Sequence, residues 1–407
     1  MAESIRSKME DLNLNGCSNA TVAIHADDPI NVVTDVAPPL HVSTTFRYSD
    51  NPDELVPLAE ESQEIPSPTS HVYSRYTAPN YTRFETIVSA LLGGHSVTYA
   101  SGLAALNAAL IFFNPKRISV GNGYHGSHGV ISIISRLTGL KKIDLDCPAE
   151  QLEKGDLILL ETPVNPHGTS FNIQKYAEKA HSRGAYLLVD STFGPPGLQD
   201  PFLWGADMVM HSGTKYLGGH SDMLCGVLAT KNDEWRHKLF MDRQYLGNMM
   251  GNMESWLGVR SLRTLEVRVQ RQSENATSLV AFLDQALKVP NPAANDPARV
   301  VQAAVKEIFH SSLQENDMAW LSKQMPGGFG PVFSMTMKEE RHARAIPSKL
   351  KFFHHATSLG GVESLIEWRA MSDDTVDRKL LRLSVGLESW TDLRDDLLAG
   401  FQACLNL

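Results

Sequence analysis

Leu187-Leu188-Val189-Asp190-Ser191-Thr192-Phe193 and, further on, His211-Ser212-Gly213-Thr214-Lys215-Tyr216-Leu217-Gly218-Gly219-His220 decide the reading of this chain. The first segment sets an acid at the end of an apolar, strand-type run that begins at Ala185. The second sets a lysine among hydroxyls and glycines, just past a second apolar run over 207–211. In open α/β sheets ligands sit outside the carboxyl ends of the strands, and both Asp190 and Lys215 fall there. Singly, an Asp closing a strand is usually a turn residue and a lone Lys a solvated charge. Their combination carries the information.

A third piece lies upstream. Residues 97–100 read as a strand, and Ser101-Gly102-Leu103-Ala104-Ala105-Leu106-Asn107-Ala108-Ala109-Leu110 as a helix with Ser101 at its N-cap. The free amides of that first turn, backed by the helix dipole, attract an anion, and Gly102 allows a phosphate to come close. Ser212 and Thr214 add hydroxyl donors, while Gly218 and Gly219 permit close backbone approach. Ser-Gly before an Ala-rich helix is common, so this anion site is specific only beside the acid and the lysine. Pyridoxal 5'-phosphate requires these parts: an amine to form a Schiff base, a carboxylate for the ring nitrogen, and a phosphate cradle.

With 407 residues the chain exceeds one typical core, so two or three lobes are expected. Hydrophobic residues make up 42% and charged residues 20%, as in ordinary globular proteins. A net charge of −9, with no basic run interleaved with aromatics, argues against nucleic acid or an anionic membrane as partner. Cys17, Cys147, Cys225 and Cys404 show no Cys-x-x-Cys spacing and read as free thiols of a reducing compartment. Residues 1–15 are polar, without a signal-peptide core or a transmembrane run, so the cytoplasm is the expected location. The pairs His125/His128 and His354/His355 lack further ligands at metal spacing, and no metal is expected.

Residues 1–70 read as an N-terminal arm or extension, with a Pro-, Glu- and Ser-rich exposed insertion over 50–70. Over 71–265, strand runs at 97–100, 118–121, 142–145, 157–161, 185–190, 208–211 and 226–229 alternate with helical ones at 84–92, 103–113 and 174–183. That rhythm predicts a mostly parallel sheet covered by helices. A long helix is expected from Asn252 to Leu283, leading into a smaller C-terminal α+β domain over 266–407. This domain has strands at 328–338 and 381–386 and a closing helix from about Thr391.

Further motifs recur in order along the chain. They are Tyr73-Ser74-Arg75, Ser101-Gly102-Leu103, Tyr124 with Gly126, and Glu161-Thr162-Pro163-Val164-Asn165-Pro166. Ser358-Leu359-Gly360-Gly361-Val362-Glu363-Ser364-Leu365 and Arg382-Leu383-Ser384-Val385-Gly386-Leu387-Glu388 follow the Asp190 and Lys215 segments. Together they resemble the cystathionine γ-synthase family of cysteine and methionine metabolism, from about Ala37 to about Glu388. The resemblance implies fold type I of the pyridoxal-phosphate transferases, an α/β fold with a large, mostly parallel seven-stranded sheet. It implies that Lys215 carries the Schiff base and then shuttles protons, that Asp190 pairs with the ring nitrogen, and that Tyr124 stacks on the ring. By the same resemblance Ser101, Gly102, Leu103, Ser212 and Thr214 hold the phosphate, and Tyr73 and Arg75 reach it from a neighbouring subunit. A homo-oligomer, a dimer of dimers by family habit, follows. Arg382 is expected to clamp the substrate α-carboxylate, a task for a planar bidentate cation, with Asn165 and Ser358 orienting it.

Departures bear on the reaction. Members acting on cystathionine at the γ carbon usually carry Glu directly before the Ser-Leu-Gly-Gly-Val-Glu-Ser motif, and β-lyases tend to have Tyr; here the residue is Thr357. Without that carboxylate a natural anchor for the ammonium group of cysteine is missing. The expectation is γ-replacement on an O-activated L-homoserine, such as the O-acetyl ester, through a vinylglycine ketimine. The entering group would be a thiol or a stabilised carbon nucleophile. Cystathionine β- or γ-lyase is the alternative.

Overall fold

The apolar runs of the N-terminal two thirds assemble as seven strands: β1 (His95–Tyr99), β2 (Arg117–Val120), β3 (Lys141–Asp144), β4 (Leu157–Glu161), β5 (Tyr186–Asp190), β6 (Met208–Ser212) and β7 (Gly226–Thr230). The computed structural model describes residues 13–31, 33–57 and 70–405. Within it these strands lie in the order β1-β7-β6-β5-β4-β2-β3. Strands β2 to β6 pair in parallel, and β7 is antiparallel to both its neighbours. Side chains alternate between two covered faces, as the pleat requires. Met208 and Met210 pack with Ala105 and Leu106, while Val209 joins Phe84 and Ile87 on the other side. Burial on both faces is why β4 and β5 read as near-continuous apolar runs rather than alternating ones.

The carboxyl ends of β1, β4, β5 and β6 face the same way. Helix Gly102–Phe113 starts directly beyond β1, Asp190 ends β5, and Lys215 follows β6 by one turn. This edge gathers the chemistry.

A second sheet holds β8 (Val305–Phe309), β9 (Val332–Met337), β10 (His354–His355), β11 (Leu365–Trp368) and β12 (Leu380–Ser384), in the order β10-β11-β12-β9-β8. It is antiparallel except for β10 with β11. One face carries Phe333, Leu381 and Leu383 against helices Leu265–Lys288, Pro297–Ala304 and Trp390–Leu405. The alternate residues of the central strands, Ser334, Arg382 and Glu367, line up across three strands, with Arg382 opposite both of the others. Ser334 Oγ donates to the Pro166 carbonyl at 2.5 Å, so this second face meets the loop after β4.

Some expectations are corrected. The helix expected from Asn252 to Leu283 is two helices, Asn252–Leu262 and Leu265–Lys288. At the break the Arg263 guanidinium turns away to bond Asp27 and the carbonyls of Ala23 and Ile24, which fixes a corner that periodicity does not reveal. The strand expected over 328–338 begins only at Val332, because Gly328 and Gly330 have φ of +126° and +90°. Strands β8, β10 and β11 were not expected. Of the insertion at 50–70, residues 58–69 lie outside the described residues, and Pro52–Glu54 form a short 3₁₀ turn. Among the described residues no helix is long and apolar enough to cross a membrane. The four cysteines are free thiols, three of them buried.

Candidate functional site

A cavity of about 430 Å³ opens where the two sheets meet, within the range of small-molecule sites. Its walls include Ser101, Gly102, Leu103, Tyr124, Asn165, Asp190, Ser212, Thr214, Lys215, Thr357, Ser358 and Arg382. Residues spread over most of the chain thus share one space. Tyr73 and Arg75 do not line it; Arg75 lies over the rings of Tyr73 and Tyr76 and reaches the Gln244 carbonyl at 3.4 Å.

Lys215 is set by a tight turn in which its N–H donates to the Ser212 carbonyl, while its own carbonyl accepts from Gly219. Gly360 presses against this turn: a Cβ there would sit 3.0 Å from the Lys215 carbonyl carbon, at a φ of +85°. The Lys215 ammonium donates to Ser358 Oγ at 2.7 Å. Burial, helped by the Arg382 charge and opposed by Glu367, brings its pKa down to about 8. Ser358, which receives this bond, holds a φ of +74°, a costly conformation for a residue with a Cβ and one that clusters at functional sites.

Asp190 is buried and accepts from the Thr192 N–H at 3.0 Å and the Thr192 hydroxyl at 2.6 Å. Its register partner across the parallel ladder is Glu161. Glu161 accepts from the backbone N–H of Tyr124 and of Asn165, each at 2.8 Å, and so ties two cavity residues to the end of β4. Burial, and the Asp190 carboxylate beside it, push the Glu161 pKa upward; burial also raises Asp190, against the Thr192 donors.

At the other wall, Arg382 donates to Asn165 Oδ1 at 3.1 Å and to the Ser358 carbonyl at 2.8 Å. It also pairs with Glu367 at 2.6 Å. Burial lowers its pKa to about 10, the Glu367 charge working against that shift. Sequence reasoning missed Glu367, Arg369 and Ser372, all of which line the cavity, and assigned Glu161 and Thr192 no role. A signal was present: Glu367 interrupts the apolar run Leu365-Ile366, and Glu367 and Arg369, two apart, share a face.

The parts fit pyridoxal phosphate. Ser101 caps helix Gly102–Phe113 by accepting from the Ala104 N–H, leaving earlier amides of that turn available. A Cβ on Gly102 would come within 2.9 Å of Ser212 Cβ and Oγ, so only glycine keeps this helix end against β6. Thr214 contributes less freely than expected, since its hydroxyl bridges the backbone of Cys225.

The comparisons with known proteins agree with this geometry. Residues 20–402 match the family model described as Cys/Met metabolism PLP-dependent enzyme. The chain belongs to that family. It is 32% identical to cystathionine gamma-lyase of Bacillus subtilis, over 81% of this chain and 88% of that protein. It is 31% identical to cystathionine beta-lyase of Lactococcus lactis subsp. cremoris, again over 81% and 88%. The solved structure of cystathionine gamma synthase from Xanthomonas oryzae pv. oryzae is 28% identical, with a TM-score of 0.82 over 96% of this chain and 99% of the other. The family carries pyridoxal 5'-phosphate as its cofactor. Synthases and lyases lie at similar distance, so family membership alone leaves the reaction open.

Proposed function

We propose that the enzyme replaces the γ substituent of an O-activated L-homoserine, such as O-acetyl-L-homoserine, with a thiol or a stabilised carbon nucleophile. Bound pyridoxal phosphate supplies an electron sink for breaking bonds at the carbons next to the amino group. Lys215 Nζ, with a pKa of about 8, takes the α-proton and redelivers it along the substrate chain. Arg382 holds the α-carboxylate, with its fork aimed by Asn165 and the Ser358 carbonyl. With pyridoxal phosphate bound, Asp190 would pair with its ring nitrogen, Tyr124 would stack on the ring, and the first turn at Gly102 and Leu103, with Ser212 and Thr214, would hold the phosphate. The γ C–O bond breaks and the acyloxy group leaves as a carboxylate, while the nucleophile gives up its S–H or C–H proton to solvent and its bond to the γ carbon forms in place of the C–O bond.

The observation that carries this reading is the neutral Thr357 at the cavity wall, where a carboxylate would anchor the ammonium group of cysteine. The lyase reading is supported by relatives that are cystathionine gamma- and beta-lyases. Incubation with O-acetylhomoserine and a panel of thiol and carbon nucleophiles, with products read by mass, separates them. New amino acids support replacement. Release of 2-oxobutyrate whatever is offered, or of pyruvate from cystathionine, supports a lyase.

Tyr73 and Arg75, outside their own cavity lining, are taken to serve the phosphate site of a second copy, in an active homo-oligomer of the cytoplasm. Mixed oligomers of Arg75→Ala and Lys215→Ala subunits would then regain part of the activity that each lacks alone.

A further inference from the structure

The cavity holds a second buried guanidinium with no part in the chemistry described so far. Arg369 follows β11 on a short 3₁₀ turn, is 3% exposed, and lines the cavity with Ser372 and His125. Its Nη1 donates to Glu367 Oε2 at 2.8 Å, and the same oxygen lies 2.6 Å from Arg382 Nη2. One carboxylate oxygen is therefore shared by two arginines. The other acid at Arg369, Asp373, is 3.5 Å away and is held at Oδ1 by the Thr375 N–H and hydroxyl. Among the described residues Arg369 Nε has no hydrogen-bond partner. A guanidinium offers five donors, and a buried one left this incompletely paired costs free energy that an anionic ligand would recover.

We propose that Arg369 is a recognition site for a carboxylate on the entering nucleophile, which would be a small carboxylic acid bearing a thiol, amine or acidic C–H. The inference rests on the replacement reading above and deepens it. Arg382 takes the carboxylate of the amino-acid substrate. Arg369, bound to the same oxygen of Glu367, holds the second acid close by. Ser372 Oγ donates to Glu367 Oε1 at 2.5 Å and fixes the shared carboxylate between the two cations. Glu367 and Asp373 offset the two arginines when the site is empty of acid, which allows both cations to stay buried.

The test pairs each nucleophile with its methyl ester, for instance 3-mercaptopropionate and methyl 3-mercaptopropionate, with O-acetylhomoserine as co-substrate and the holoenzyme as catalyst. The wild type is expected to favour the acid in kcat/KM by about tenfold or more, the worth of one charge-assisted pair. In Arg369→Gln this preference falls to near one, and Arg369→Lys keeps part of it. Should Arg369→Gln unbalance Glu367, the Glu367→Gln/Arg369→Gln pair restores neutrality and is expected to lose the preference too. Equal use of acid and ester by the wild type, or a preference unchanged in the variants, overturns the inference alone. A wild type that forms no replacement product with any nucleophile overturns the replacement reading and this inference with it.

Discussion

Glu161 and Asp190 end neighbouring parallel strands as direct register partners, so two carboxylates stand side by side at the floor of the cavity. Two like charges there resist joint ionisation. Thr192 stabilises the Asp190 carboxylate through two bonds, while Glu161 is pinned by the amides of Tyr124 and Asn165. Asp190→Asn is expected to lower kcat by about 10²-fold or more, as for loss of one aimed electrostatic group. The same substitution removes the charge that helps raise Glu161, so the Glu161 carboxyl should titrate at lower pH in Asp190→Asn than in the wild type, read by its infrared carboxyl band. An unmoved band would show that the two carboxyls titrate independently.

The Lys215 amine titrates near pH 8 in the folded protein against 10.5 for the ordinary side chain. Only the uncharged amine attacks an aldehyde, so cofactor loading of the apo-protein should accelerate as pH rises, with a midpoint near 8. The sign for stability follows from the same shift. Between about 8 and 10.5 the unfolded chain binds more protons at this lysine, so the folded apo-protein gains stability as pH rises through that window. Lys215→Met should therefore raise the Tm of the apo-protein more at pH 7 than at pH 10. A gap that does not narrow with pH would contradict the depressed pKa.

Thr357 lines the cavity wall and is exposed to it, beside the strained Ser358. Thr357→Glu supplies a carboxylate where a cysteine ammonium would need one. Cystathionine formation from cysteine is expected to rise a few-fold in kcat/KM, the scale of about 0.5–1 kcal/mol for an ion pair at an exposed wall. The readout is competition between cysteine and an uncharged thiol. If the ratio stays at the wild-type value, Thr357 does not set the choice of nucleophile.

Away from the cavity, Arg243 is fully buried, with Nη1 2.5 Å from Glu85 and 2.9 Å from the Thr98 carbonyl. Glu85 also accepts from the Thr98 N–H and hydroxyl, so the cluster joins helix Asp233–Leu246 to β1 and to helix Pro79–Leu92. Arg243→Met leaves Glu85 uncompensated and should cost about 3–5 kcal/mol in denaturant unfolding. Adding Glu85→Gln is expected to recover part of that loss, a non-additivity that a double-mutant cycle measures directly.

Much of the large sheet was legible locally. Its seven strands fall within a residue or two of their expected places; the central β4 and β5, buried on both faces, are apolar runs that end at polar turns, while the edge strand β3 is short and largely exposed. Ser101, Asp190 and Lys215 could be found for a related reason: each follows an apolar run, and the strand end fixes where its side chain emerges. The smaller sheet was less legible. Its β8 and β11 are short, mix charged with apolar residues, and take their meaning from partners far along the chain.

The chain by itself determined the strands of the large sheet, the lysine–aspartate pair and the anion-binding helix start, since each depends on neighbours within a few residues. Tertiary structure alone decided that Glu367 stands opposite Arg382, that Arg369 joins them, and that Tyr73 and Arg75 stay outside their own chamber. Periodicity tells which face a side chain occupies. What lies across from that face depends on the register of distant strands and the docking of one sheet on the other, and no short window of residues contains that information.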